Sequence, residues 1–184
     1  MGNANSGKAR SAGCCEWMAS GYLALAGVGG LVFALDRLTK SAISSSLPVG
    51  GSRGVIDGFF DLVHFRNTGM AFSLFADSEP WFREWVLPAA QIAIVVLVVL
   101  MFRSLGESAP MSRLALALVL GGAAGNLYDR MLHGYVTDFL DFYLASYHWP
   151  AFNVADSAIT VGAGLLILDS VLGRHGPRHA AGEA

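Results

Sequence analysis

The chain has 184 residues, 54% of them hydrophobic and only 14% charged, with a net charge of −2 and a mean hydropathy of +0.50. A soluble domain normally carries about a quarter charged residues, so the composition points to one compact integral membrane unit. Nothing in the charge suggests a nucleic-acid partner, and the only two cysteines, Cys14 and Cys15, are adjacent, which excludes a disulfide scaffold and a metal site built on cysteine alone.

In chain order, MGNANSGKARSAG is polar and Gly/Ser-rich and predicts a disordered tail over residues 1–16. Gly2 and Ser6 fit a short myristoylation pattern, with Cys14 and Cys15 downstream. A multispan protein needs no lipid anchor, so these two cysteines read as free thiols. A first apolar run covers 17–35. No small-x-small cleavage site separates it from DRLTK, so it reads as a retained span. Asp36 and Lys40 close that span four residues apart, on one helical face, as an ion pair at the membrane edge.

The stretch 36–85 is too long for a turn. VIDGFFDLVHF is rich in aromatic and β-branched residues and is followed by RNTGMAFSLF, so a small outer β element is expected near 54–75. Trp81, Phe82 and Trp85 read as an interfacial aromatic belt before the second run, 86–102. Gln91 is the only strongly polar residue well inside that run.

A third run, 113–128, ends in GGAAGNLYDR. Gly121, Gly122 and Gly125 suit close helix packing. Gly122, Asn126, Asp129 and Arg130 share one face, with the polar groups turned inward to one another. VTDFLDF then supplies Asp138 and Asp141 on a short link, and a fourth run extends from Phe152 to about Leu172. Asn153 caps that helix and Asp156 falls in its first turn, where the helix dipole favours negative charge. The fold expected is an all-α polytopic membrane protein with four transmembrane helices and a periplasmic β element between helices 1 and 2.

Four spans place both termini on one side. Lys and Arg divide six against six between the two sides, but the set around the termini and the 103–113 loop lies in shorter segments. The positive-inside rule weighs such segments most and puts both termini in the cytoplasm.

The connection between Asp138 and Asp156 is short enough to bring both acids to the outer ends of adjacent spans. Two like charges at about 4 Å repel by about 4 kcal/mol at an effective dielectric of 20, so one acid keeps a proton while the other stays ionised. Such a pair can hold and activate a water without a metal. Intramembrane acids beside an arginine also suit a proton-coupled transporter, and the polar groups could equally be interhelical glue in a structural protein.

DRLTK, NTGMAFSLF, GGAAGNLYDR, VTDF and FNVADSAI occur in the order and approximate spacing of the bacterial lipoprotein signal peptidases, which the chain resembles over about 17–172. The resemblance implies an inner-membrane aspartic protease with a β-cradle, its site near the periplasmic face, with Asp138 and Asp156 as the catalytic dyad. It implies that Asp36, Lys40, Asn67, Gly69, Ala71, Asn126, Asp129, Arg130 and Asn153 shape the site. Asp141 matches no catalytic position. The substrate implied is a diacylglyceryl-modified prolipoprotein cut just before its lipidated cysteine, by a monomer in membrane lipid with no cofactor or metal. Asn67–Phe75 is expected to lie over the opening as a lid, and the 1–16 and 173–184 tails to be dispensable and cytoplasmic.

Overall fold

The structure is a computed structural model, and it describes residues 5–69, 79–105 and 109–172, with side chains from Gly21 onward. The lid segment beyond Gly69, Ala71 within it, the thiols of Cys14 and Cys15 and the tail from residue 173 lie outside the described residues or side chains.

Four helices carry the chain: α1 (Asn5–Ser46), α2 (Leu87–Ser104), α3 (Pro110–His133) and α4 (Val154–Val171). Helix α1 runs through residues expected as an irregular tail and continues past Lys40. Both extensions lack proline and are supplied with alanine, a strong helix former. A π-helical turn, Phe82–Val86, leads into α2 and carries the exposed Trp85. Among the described residues, three helical stretches are long and apolar enough to cross a bilayer: Gly21–Ser46, Phe82–Ser104 and Val154–Val171. Helix α3 has the length, at 24 residues, but it is the hub that touches α1, α2 and α4. Its glycines and its polar Asn126 and Asp129 are buried, and these residues make α3 less apolar than those three stretches.

Helix α3 meets its neighbours backbone to backbone. A Cβ on Gly122 would sit 2.4 Å from the Ala155 carbonyl oxygen of α4, and one on Gly121 would sit 2.5 Å from the Gly29 carbonyl oxygen of α1. The apolar core lies among Leu25, Val98, Phe102, Leu116, Ala117 and Val119.

The all-α expectation is corrected by a four-stranded antiparallel sheet, in order β1-β2-β3-β4. Strands β1 (Ser52–Ile56) and β2 (Phe60–Asn67) come from the expected region. Strands β3 (Val136–Leu144) and β4 (Tyr147–His148) come from the α3–α4 connection expected as a short link. The link reads as VTDFLDFYL, whose Val, Thr, Phe and Tyr suit a strand, and β2 pairs with it across Phe65–Asp138 and Asn67–Val136. An aromatic cluster backs the sheet, with Phe142 stacked on Phe60 at 4.6 Å and on Phe152 at 5.8 Å.

Candidate active site

Asp138 and Asp156 come to line one cavity because the chain turns back on itself between them. After the β3–β4 hairpin, Phe152 returns to β3: its amide donates to Leu140 O at 3.1 Å and its carbonyl accepts from Phe139 N and Leu140 N at 3.0 and 2.8 Å. The next residue, Asn153, is therefore fixed beside Asp138 and opens α4. Its backbone is extended, its Oδ1 accepts from Asp156 N at 2.9 Å, and Asp156 Oδ2 accepts from Asn153 N at 3.3 Å. This is a capping box with an acid in the reciprocal position, as expected for Asn153 and Asp156.

The cap also holds the second acid. Asn153 Nδ2 donates to Asp138 Oδ1 at 2.7 Å, and Asn67 Nδ2 donates to Asp138 Oδ2 at 2.9 Å. Asn67 pairs with Val136 in the sheet, two residues from Asp138, so both point from the same face. Asn67 Oδ1 takes the Gly69 amide at 2.9 Å and closes the Asn-Thr-Gly turn. Asp156 Oδ1 accepts from Asn126 Nδ2 at 2.7 Å.

Behind the acids lies an ionic clasp. Lys40 Nζ is 2.8 Å from Asp36, 2.8 Å from Asp129 and 2.9 Å from Asn126 Oδ1. Lys40, Asp36 and Asp129 are 1%, 0% and 2% exposed, so the expected membrane-edge pair is fully buried. Asp36 Oδ1 also accepts from Ala155 N at 3.0 Å, tying α1 to the first turn of α4. Asp129 does not pair with its neighbour Arg130; it pairs with Lys40 and Arg37 of α1. Arg130 turns towards the acids and donates to Gly69 O at 2.6 Å.

Asp138, Asp156, Asn67, Asn126 and Arg130 line one cavity of about 580 Å³ whose remaining wall is mostly apolar. Helix α2 supplies Leu87, Ala90, Gln91 and Ile94 on one side, and α4 supplies Ile159, Thr160 and Val161. Burial pushes the Asp138 carboxyl up to about 6, and the Asp156 charge pushes the same way, against the two asparagine donors.

The residues 28–172 match the family model for signal peptidase (SPase) II. The chain belongs to the signal peptidase II family. Among curated relatives, this family member is 44% identical over 172 residues to the lipoprotein signal peptidase of Ralstonia nicotianae, covering 93% of this chain and 97% of that one. It is 48% identical over 142 residues to that of Cupriavidus taiwanensis, covering 77% and 78%. Its fold is similar to a bacterial membrane enzyme solved by the in meso method, with TM-score 0.75 and 27% identity over 87% of this chain and 94% of that chain. The family member is thus a bacterial-type membrane peptidase.

The partners of several further polar residues of this peptidase emerge only in three dimensions. Arg37 joins the clasp. Asp169, 3% exposed at the far end of α4, takes a hydrogen bond from Ser112. Asp141 accepts from His148 Nδ1 at 2.9 Å and pins β3 to β4. A polar residue inside an apolar run is the only signal of Asp169 in the sequence.

Proposed function

We propose that this peptidase removes the signal peptide from diacylglyceryl-modified prolipoproteins, cutting just before the lipidated cysteine, with Asp138 and Asp156 as an aspartic dyad. The observation that supports the dyad is the shared asparagine: Asn153 binds both acids at one cavity, its side-chain amide donating to Asp138 Oδ1 and its backbone N–H to Asp156 Oδ2.

The roles follow from the surroundings. Asp138, raised to about 6 by burial and by the Asp156 charge, is the acid that holds the proton in the singly protonated pair. Asp156, in the first turn of α4, is the ionised base, because the helix dipole favours its charge. Asp156 takes a proton from water as the water oxygen adds to the scissile carbonyl carbon. Asp138 gives its proton to the carbonyl oxygen. The tetrahedral intermediate collapses, the C–N bond breaks, and Asp156 passes its proton to the departing cysteine amine while Asp138 recovers its own.

In this reading α3 is the fourth span, both termini are cytoplasmic and the sheet lies at the periplasmic face of the inner membrane. Helices α2 and α4 both pack on α3, and the cavity lies between them. This cleft gives a signal helix and its acyl chains a path from lipid. Residues 17–172 hold the protease unit, and it acts as a monomer.

The test is cleavage of a diacylglyceryl-modified prolipoprotein by purified protein in lipid. Asp138→Asn and Asp156→Asn variants stay folded and inserted and give no product. Cleavage by either variant at a rate near wild type sinks the dyad.

A further inference from the structure

Gln91 stands on the α2 wall of the cavity, between Leu87, Ala90 and Ile94. Its Oε1 is buried and accepts no hydrogen bond from any described residue. An amide oxygen in apolar surroundings without a donor is a standing cost to the fold. A methionine or leucine there would fill similar space without it.

The other acceptors lining the cavity are largely committed. Asn126 Oδ1 takes Lys40 and Asn67 Oδ1 takes Gly69 N. The two acids are reserved for the reaction. Among the described side chains of α2, the acceptor without a donor is Gln91.

A bound peptide needs such an acceptor. A helix hides each carbonyl in an i to i−4 bond, so the segment presented to a dyad has to unwind. Unwinding against the mostly apolar wall of this cavity releases backbone N–H groups that need acceptors from the protein. We infer that Gln91 accepts a backbone N–H of the unwound peptide segment beside the scissile bond and fixes its register against Asp138 and Asp156. Gln91 is then a substrate-binding residue with no part in proton transfer. This inference rests on the peptidase reading above.

The test pairs Gln91→Met, with Gln91→Leu as a second variant, against prolipoprotein peptides in which one amide near the cut is replaced by an ester. The ester removes one N–H and leaves the chain otherwise intact. In wild type, the ester at one position raises KM about tenfold, the effect of one lost hydrogen bond to a buried acceptor. Both variants raise KM about tenfold on the all-amide peptide, leave kcat unchanged, and no longer respond to the ester at that position. Both also unfold at a higher temperature than wild type, because the orphan oxygen is gone. A variant with wild-type KM, or an ester penalty that survives in both variants, overturns the role of Gln91. Absence of any cleavage by wild type overturns the prolipoprotein reading instead.

Discussion

Asn153 and Asp138 are joined by a 2.7 Å hydrogen bond across the junction of a strand and a helix, and the same Asn153 caps the helix that carries Asp156. One side chain thus does two jobs, and they are separable by substitution.

Asn153→Ala removes both. Loss of an N-cap lowers stability by about 1 kcal/mol, while misplacing the acids by about 1 Å lowers the rate by about a hundredfold. Asn153→Ser restores a cap but cannot reach Asp138 as an amide donor does. The expected result is recovery of thermal stability with kcat still low. Recovery of kcat alongside stability in the serine variant contradicts the positioning role.

The Asp138 carboxyl sits near 6 in the folded protein against an ordinary 3.8. A carboxyl raised in the folded state makes the folded form bind the proton more tightly than the unfolded form. Stability therefore falls as pH rises from about 4 to about 6 and is level above that, by about 3 kcal/mol for this group. Unfolding measured at pH 4.5 and 7 for wild type and Asp138→Asn isolates the effect of this carboxyl: the wild-type loss is larger. Activity follows the same proton, so kcat/KM falls on the alkaline side with an apparent value near 6 for the pair. A flat profile between pH 5 and 8 opposes Asp138 as the proton holder.

Lys40 is the only cation that touches both Asp36 and Asp129 among the described residues. Lys40→Met leaves two buried carboxylates short of their partner and destabilises the protein by about 3 to 5 kcal/mol. Replacing all three, as Asp36→Asn, Lys40→Met and Asp129→Asn, returns part of that loss. Denaturation in detergent compares the single and triple variants, and equal instability of both argues against the clasp.

Gly122→Ala places a methyl where the Ala155 carbonyl lies. Overpacking of this kind costs about 1 to 3 kcal/mol, and it displaces the first turn of α4 with Asp156. Both a lower unfolding temperature and a loss of activity of about a hundredfold are expected. Gly164→Ala, on the same helix as Asp156 with open space around its Cβ, is the control and leaves both unchanged.

The helices and the polar positions were legible because each has a local signal. Apolar length marks the spans, a capping asparagine followed by an acid three residues later marks the start of α4, and spacing of four places Asp36 beside Lys40. The strand character of 136–144 was less legible. Two acids interrupt it, so it reads as a polar link until β2 is known to pair with it. On α3 the burial of Asn126 and Asp129 was legible from their shared face, but the groups they meet on other helices were not.

Partners across the chain lay beyond any local signal. Asp129 is next to Arg130 in sequence, yet its ion pairs go to Arg37 and Lys40, because successive helical residues point in different directions. Sequence alone determined which residues are polar in an apolar chain, and roughly where each helix starts. Tertiary structure decided which of them touch, because close helix packing at Gly122 and the return of Phe152 to β3 bring together groups that are far apart along the chain.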